Sequence, residues 1–376
     1  MIFELYIFAV IIILYGLFIT LAIYGFNKHQ RIDVRQTQDN YTSISIVLSA
    51  RNEEKNIKAC LEQLMAQEYP KTSFEIILID DASEDETFKL ASNILSQSNI
   101  KHQVIRQNEH TGKKINLTKA IHLATGDIIV TTDADVIYRN VFWLKAIHLY
   151  FVKYQPAMLI MPIDYTTHHQ VLSTFQIVEN IAISGITAGY TGINMAFMCS
   201  GANLAFKKHA FIDANGYQSH LDISSGEDVF LLEDIKNKKS ANIMYGFDRH
   251  LIVKTLPEIN LRNFLEQRIR WAYKAKYNKN QLNLFGGFII IAANLLVLAL
   301  IVAIIKQSAI IPYLSIFVAT KFVFDFLLLF LASNFLNKVK YLMWLIPFEC
   351  VYWIYALVIG VASLIYKPYW KGIKTS

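Results

Sequence analysis

The chain has 376 residues, 54% of them hydrophobic, and a formal net charge of +6 at pH 7. That length has room for two units, and so apolar a composition excludes an ordinary soluble domain. The positive balance suits an anionic membrane face or phosphorylated substrates, while the lack of a basic helix or aromatic-basic repeat argues against nucleic acid as a partner.

Residues 2–26 are apolar apart from Glu4 and a few small or polar groups, long enough to cross a bilayer. A cleavable signal peptide would carry a basic start, a shorter apolar core and a small-residue cleavage site, so the run reads as an uncleaved anchor. Lys28, Arg31 and Arg35 follow directly, which by the positive-inside rule places the next stretch in the cytoplasm. Cys60, Cys199 and Cys350 form no C-x-x-C pair, which argues against structural zinc and a disulfide scaffold and fits a reducing compartment.

After a polar linker over 33–42, residues 43–50 form a buried strand, and Arg51-Asn52-Glu53-Glu54 turns into a helix reaching about 67, with Leu61, Leu64 and Met65 on its apolar stripe. A second strand over 74–79, a helix over 84–95, a strand at 103–105, a helix over 114–124 and a strand from 128 follow. Nearly all-apolar strands alternating with helices indicate a doubly wound, mostly parallel α/β sheet with covered faces.

Acid stands at two strand ends. Of Asp80 and Asp81, one can cap the following helix while the other faces the crevice at the strand ends. Asp133 and Asp135 lie two apart and can point the same way, offering paired oxygen ligands to Mg2+ or Mn2+ carrying a diphosphate. An isolated D-x-D is more often a solvated turn; its recurrence beside a second acidic strand end favours the cation reading. Between them, His110-Thr111-Gly112-Lys113-Lys114 puts a glycine turn and two cations at a helix start, where phosphate is attracted. Lys113, beside the glycine, is the stronger candidate, and Lys114 reads equally well as a solvated cation.

A helix over 140–154 and a buried strand over 157–163 come next, and His168-His169 reads as a loop without metal-ligand spacing. Residues 180–206 carry no charge, yet Gly185, Gly189, Gly192, Asn194 and several threonines are expected to break the run, and a crossing would put the rest of the domain on the wrong side of the bilayer. An interfacial segment or acceptor groove is the expectation, with core packing as the alternative. Ser200-Gly201-Ala202-Asn203 is a turn. Ser225-Gly226-Glu227-Asp228 opens a helix whose acids either cap it or aim one carboxylate at a substrate as a general base.

After a strand around 243–254, a helix from about 261 carries Gln267-Arg268-Ile269-Arg270-Trp271. Two arginines with a tryptophan suit a leaving diphosphate and a stacked sugar or base; a basic amphipathic helix on the membrane is the alternative. Spans are expected at 285–305, 310–332 and 342–366, with Lys321 and Asp325 paired inside the second and Pro347 and Glu349 inside the third. The expected division is an anchor over 1–27, a cytosolic domain over 28–284 and a membrane domain over 285–376, with four spans and both termini outside. Lys338 and Lys340 obey the positive-inside rule in that scheme; Lys367, Lys371 and Lys374 do not.

The ordered pattern Asp81, Asp133-Ala134-Asp135, Glu227-Asp228 and Gln267-Arg268-Ile269-Arg270-Trp271 resembles that of membrane-bound family 2 glycosyltransferases of the inverting GT-A type, over about residues 43–273. The resemblance implies a Rossmann-like GT-A domain, a nucleotide-sugar donor, most simply a UDP-sugar, and a divalent metal. It implies that Ala50, Asn52 and Glu53 line the nucleotide pocket, that Asp81 contacts the base and that Asp133 and Asp135 serve the donor and its metal, Asp135 as the direct ligand. Asp228 would deprotonate the acceptor hydroxyl, and Gln267, Arg270 and Trp271 would hold the acceptor sugar and the diphosphate. The expected activity is transfer of one sugar to a lipid or other membrane-held acceptor at a bacterial inner or plasma membrane, with a processive polysaccharide synthase as the alternative. A transporter or passive scaffold is the competing class, supported by Lys321 and Asp325 alone.

Overall fold

The structure is a computed structural model and describes residues 2–35, 40–167, 170–218, 226–238, 241–275, 280–366, 369–370 and 373–374. Its elements begin with α1 (Ile2–Phe26), β1 (Ile44–Ala50), α2 (Ile57–Met65), β2 (Phe74–Asp80), α3 (Thr87–Ser96), β3 (Lys101–Arg106), α4 (Lys113–Leu123) and β4 (Ile128–Thr132). They continue with β5 (Ile137–Tyr138), α5 (Trp143–Tyr154), β6 (Met158–Ile160), β7 (Ile163–Tyr165), α6 (Val171–Gly192), β8 (Asn203–Lys207), α7 (Lys208–Asp213) and α8 (Glu227–Lys236). Then come β9 (Ile243–Tyr245), β10 (Val253–Thr255), α9 (Leu261–Ala275), α10 (Gln281–Ile305), α11 (Ile311–Leu336) and α12 (Leu345–Ile365), followed by the short strands β11 (Tyr369–Trp370) and β12 (Ile373–Lys374). His168, His169 and Ser225 lie outside the described residues, as do Lys367 and Lys371.

The chain divides into two units, one of His29–Thr166 with Met198–Leu256, the other of Met1–Lys28, Thr167–Phe197 and Pro257–Thr375. This partition differs from linear boundaries at 28 and 284, because α6 and α9 cluster with the apolar helices. In the first unit a seven-stranded sheet runs in the order β3-β2-β1-β4-β8-β6-β9. The strands from β3 to β4 are parallel, β8 is antiparallel to β4 and β6, and β9 is parallel to β6. Every residue of β2 and β4 is buried, as expected for strands covered on both faces. The register pairs Ala50 with Asp80, so the ends of β1 and β2 are level and Asp81 emerges just beyond them. The stretch expected as one long strand over 243–254 is divided instead, β9 closing the large sheet and β10 lying in a smaller one, β5-β10-β7, with a short 3-10 turn at Arg249–Leu251 between them.

In the second unit α6 is one unbroken helix of 22 residues, which corrects the expectation that its glycines end it. They serve close packing instead. A Cβ built on Gly189 would overlap the Ala22 backbone, and one on Gly192 would overlap Gly25. Small residues that let two helix backbones touch are a regular device of membrane helix pairs. Phe18 and Tyr190 pack beside this contact with tilted rings, centroids 4.9 Å apart, and the Tyr190 hydroxyl donates to the Phe18 carbonyl at 3.1 Å. With α6, five helices are long and apolar enough to cross a membrane, by length and composition. Lys321 pairs with Asp325 at 2.7 Å as the spacing suggested, and also contacts Glu349 of α12, while the Tyr15 hydroxyl of α1 donates to Asp325.

Candidate functional site

The strand ends of the sheet unit are tied to one another before any ligand is considered. The Asp81 N–H donates to the Ala50 carbonyl at 2.8 Å. Asn52 takes a left-handed φ of 54°, its N–H donating to Ser83 Oγ at 3.0 Å while its Oδ1 accepts the Glu84 N–H at 2.9 Å. Glu53 Oε2 accepts from Asn56 Nδ2 at 2.8 Å. The expected helix cap at Asp80 or Asp81 is not formed, since Asp80 Oδ2 accepts the Ser83 N–H at 3.2 Å and the first turn of α3 leans on Asp85.

Asp81 reaches sideways instead. Its carboxylate accepts the N–H of Thr111 at 2.8 Å and of Gly112 at 3.2 Å, and lies 2.7 Å from His110 Nδ1. Gly112 adopts φ 91°, a value that disfavours a side chain and turns this N–H toward the acid. Burial alone would raise the Asp81 carboxyl, but Asn116, the two N–H groups and His110 outweigh it and hold it below the usual aspartate range. The Asp81 acid therefore fixes the turn from which Lys113 projects.

Lys113 Nζ lies 2.6 Å from Asp133 Oδ1 and 3.4 Å from Glu227 Oε1. Burial works against its charge, yet Asp133, Glu227 and Asp228 outweigh it and keep it protonated. Asp228 Oδ2 accepts the Gly201 N–H at 3.0 Å, so the turn after α6 is clasped to the first turn of α8. Glu227 and Asp228 also profit from the positive end of that helix. Asp135 lies 3.5 Å from Thr255 Oγ1, and its carboxyl is pushed up to about 6 by burial first and then by the charges of Asp133 and Glu53.

Desolvated carboxylates that crowd one another are stabilised by a cation, and oxygen donors suit Mg2+ or Mn2+. Among the described residues no three His, Cys, Asp or Glu side chains form a ready-made cage. Two carboxylates, with phosphate oxygens and water completing the shell, is the usual manner of holding Mg2+ beside a diphosphate, so Asp133 and Asp135 fit the ion.

Within the sheet unit the fold thus brings together Ala50, Asn52, Glu53, Asp81, Lys113, Asp133, Asp135, Glu227 and Asp228. Gln267, Arg268, Arg270 and Trp271 stand on α9, in the other unit. Trp271 is exposed there, whereas the Arg268 guanidinium is buried against Glu179 at 2.6 Å, so Arg268 has a protein carboxylate where a diphosphate was expected. Sequence reasoning missed Asn116, whose Nδ2 donates to Ser49 Oγ at 3.2 Å while its Oδ1 accepts from Thr111 at 2.9 Å. An asparagine on the buried stripe of α4 was the available signal. Gly201 carried none beyond a turn.

The sheet, parallel apart from its reversed β8, with acids gathered at its strand ends, is an α/β fold of the GT-A type. Residues 45–212 match the family model Glycosyl transferase family 2. The dolichyl N-acetyl-alpha-D-glucosaminyl phosphate 3-beta-D-2,3-diacetamido-2,3-dideoxy-beta-D-glucuronosyltransferase of Methanococcus voltae is 33% identical over 87 residues, 23% of this chain and 27% of that protein. The poly(ribitol-phosphate) beta-N-acetylglucosaminyltransferase TarS of Staphylococcus aureus is 32% identical over 92 residues, 24% of this chain and 16% of that protein. Among solved structures, the mannosyltransferase PcManGT of Pyrobaculum calidifontis, in complex with GDP-Man and Mn2+, superposes with a TM-score of 0.56 at 16% identity, covering 95% of this chain and 99% of that one.

Proposed function

We propose that the protein is a membrane-bound, inverting glycosyltransferase that moves a sugar from a nucleotide sugar, a UDP-sugar in the simplest case, to a lipid or other membrane-associated acceptor. The observation that carries this reading is Lys113, whose ammonium lies between Asp133 at 2.6 Å and Glu227 at 3.4 Å, beside Asp228. This places a positive charge and candidate general bases at one point, the two elements that displacement of a diphosphate by a hydroxyl uses.

In this reading Ala50, Asn52, Glu53 and Asp81 border the nucleotide, and Asp133 and Asp135 would hold a divalent ion, which when bound would supply charge to shield the diphosphate. Asp228 accepts the proton of the acceptor hydroxyl as that oxygen bonds to the anomeric carbon. The bond from that carbon to the diphosphate oxygen breaks, and Lys113 turns its charge to the departing group. A single displacement inverts the anomeric configuration. Gln267, Arg270 and Trp271 serve the acceptor. A lipid acceptor is supported by the apolar helices and by the dolichyl phosphate in the name of the Methanococcus voltae relative. The Gln267-Arg268-Ile269-Arg270-Trp271 motif favours the chain-extending variant of the same chemistry as the second reading.

The sheet unit faces the cytoplasm in this proposal, because Lys28, Arg31 and Arg35 follow α1. The helix α6 enters from and returns to that unit, and β8 after it pairs with β4 before it. A single crossing by α6 would split one hydrogen-bonded sheet across the bilayer, so α6 lies among the other helices without changing sides.

The test supplies labelled UDP-glucose, UDP-N-acetylglucosamine and GDP-mannose to membranes containing the wild type or Asp228→Asn. Wild-type membranes should place label from one donor in solvent-extractable lipid or polymer, and Asp228→Asn should lower transfer by about 10²–10⁴-fold while keeping nucleotide affinity. Loss of binding in step with transfer would overturn the role of Asp228, and no label from any donor would overturn the activity.

A further inference from the structure

The second unit holds a buried ion pair that the transfer chemistry does not use. On α9, Arg268 Nη2 and Nε lie 2.6 and 2.8 Å from Glu179 Oε2 of α6, and the Tyr355 hydroxyl of α12 donates to the other carboxylate oxygen. The two side chains are only 3% and 7% exposed, too little for either to be a solvated surface partner. The guanidinium carbon lies 4.7 Å from the Phe264 ring centroid and 4.3 Å from that of Trp271, and the guanidinium also donates to Gln267 Oε1. One arginine thus touches both Gln267 and Trp271 while its charge is anchored on Glu179 of α6, which Tyr355 of α12 holds in turn. The start of α9 is fixed as well, since Gln176 Nε2 donates to the Glu258 carbonyl at 2.8 Å and Gln176 Oε1 accepts the Glu258 N–H at 2.9 Å.

We infer that Glu179 and Arg268 are positioning residues that set the rotation of α9, and with it the aim of Gln267 and Trp271 toward the acceptor. This rests on the proposed transferase reading, in which that face of α9 holds the acceptor. A planar guanidinium is needed because the same group must bridge a carboxylate and lie over an indole; an ammonium supplies the charge without the fork or the stacking plane. Arg268→Lys therefore separates positioning from charge balance. It keeps the buried pair neutral, avoiding the uncompensated Glu179 that Arg268→Gln would leave.

The experiment uses the full chain purified in detergent, with membranes of the source organism lacking the gene as the acceptor source and the active nucleotide sugar as donor. In Arg268→Lys and Glu179→Gln, transfer at fixed acceptor should fall by about tenfold or more, and the amount of acceptor membrane giving half-maximal rate should rise. Affinity for UDP with Mn2+, measured by calorimetry, should stay within about twofold of wild type, a split that general unfolding would not give. Transfer and half-saturation unchanged in Arg268→Lys would overturn the inference, as would UDP affinity falling in step with transfer. A wild type that releases no nucleoside diphosphate would overturn the transferase reading and this role with it. An active wild type beside an equally active Arg268→Lys overturns the positioning role alone.

Discussion

Lys113 holds two acids of different elements at one point, and its removal would leave Asp133 and Glu227 to repel each other at the proposed donor site. Lys113→Ala is expected to weaken UDP binding by at least about tenfold, read by calorimetry in the presence of Mn2+. Retention of wild-type affinity would remove Lys113 from the donor site. Lys113, Asp133, Asp135 and Glu227 could be singled out in the sequence because each stands at a strand or helix end, where a charge is conspicuous against an apolar run. Partners were less visible. Nothing in the residues around Glu179 marks it as the counter-ion of an arginine eighty-nine positions later, and nothing around Asp81 shows that the 110–112 turn folds onto it.

Among the elements, the contact of α1 with α6 depends on the absence of side chains at Gly25, Gly189 and Gly192. Gly189→Leu should prevent recovery of folded protein in detergent size-exclusion, whereas Gly287→Leu on α10, where a Cβ meets nothing within 4 Å, should behave as wild type. Equal recovery of the two would refute the close packing. The sequence showed these glycines plainly and their meaning was reversed, because glycine weakens an isolated helix but lets a packed one approach its neighbour.

A second test at this scale concerns Glu75 at the start of β2, which accepts from Ser45 Oγ at 2.6 Å and lies 3.0 Å from Lys101 Nζ. Burial would raise its carboxyl, but the bonds from Ser45, Thr125 and Lys101 outweigh that and hold it below its ordinary value of 4.5. The folded carboxyl therefore prefers its charge more than the unfolded one does. The stability it contributes is fully present above that ordinary value and is lost as pH falls through and below it. Thermal melting of the wild type should consequently drop more steeply than that of Glu75→Gln between neutral and acidic pH, and parallel curves would contradict it.

For the whole molecule, the alternation of strands and helices along residues 43–132 was readable in order because β1, β2 and β4 are nearly pure apolar sequence. The partition into two units was not, since it depends on residues 167–197 and 257–275 leaving the sheet to join helices far along the chain. The buried set of Lys321, Asp325, Glu349 and Tyr15 joins α1, α11 and α12. Lys321→Met leaves two acids without their cation and should cost roughly 3–5 kcal/mol of stability, seen as a lower melting temperature, with Asp325→Leu added in the same chain restoring part of it. A neutral Lys321→Met would show that the pairing contributes nothing.

The most direct measurement is the affinity of the full-length protein for UDP, with Mn2+ or with EDTA, in wild type and Asp135→Ala. Tight binding that needs the metal in wild type and is lost in Asp135→Ala is expected if Asp81, Asp135 and Asp228 border one donor site. The same affinity in all four conditions would contradict it.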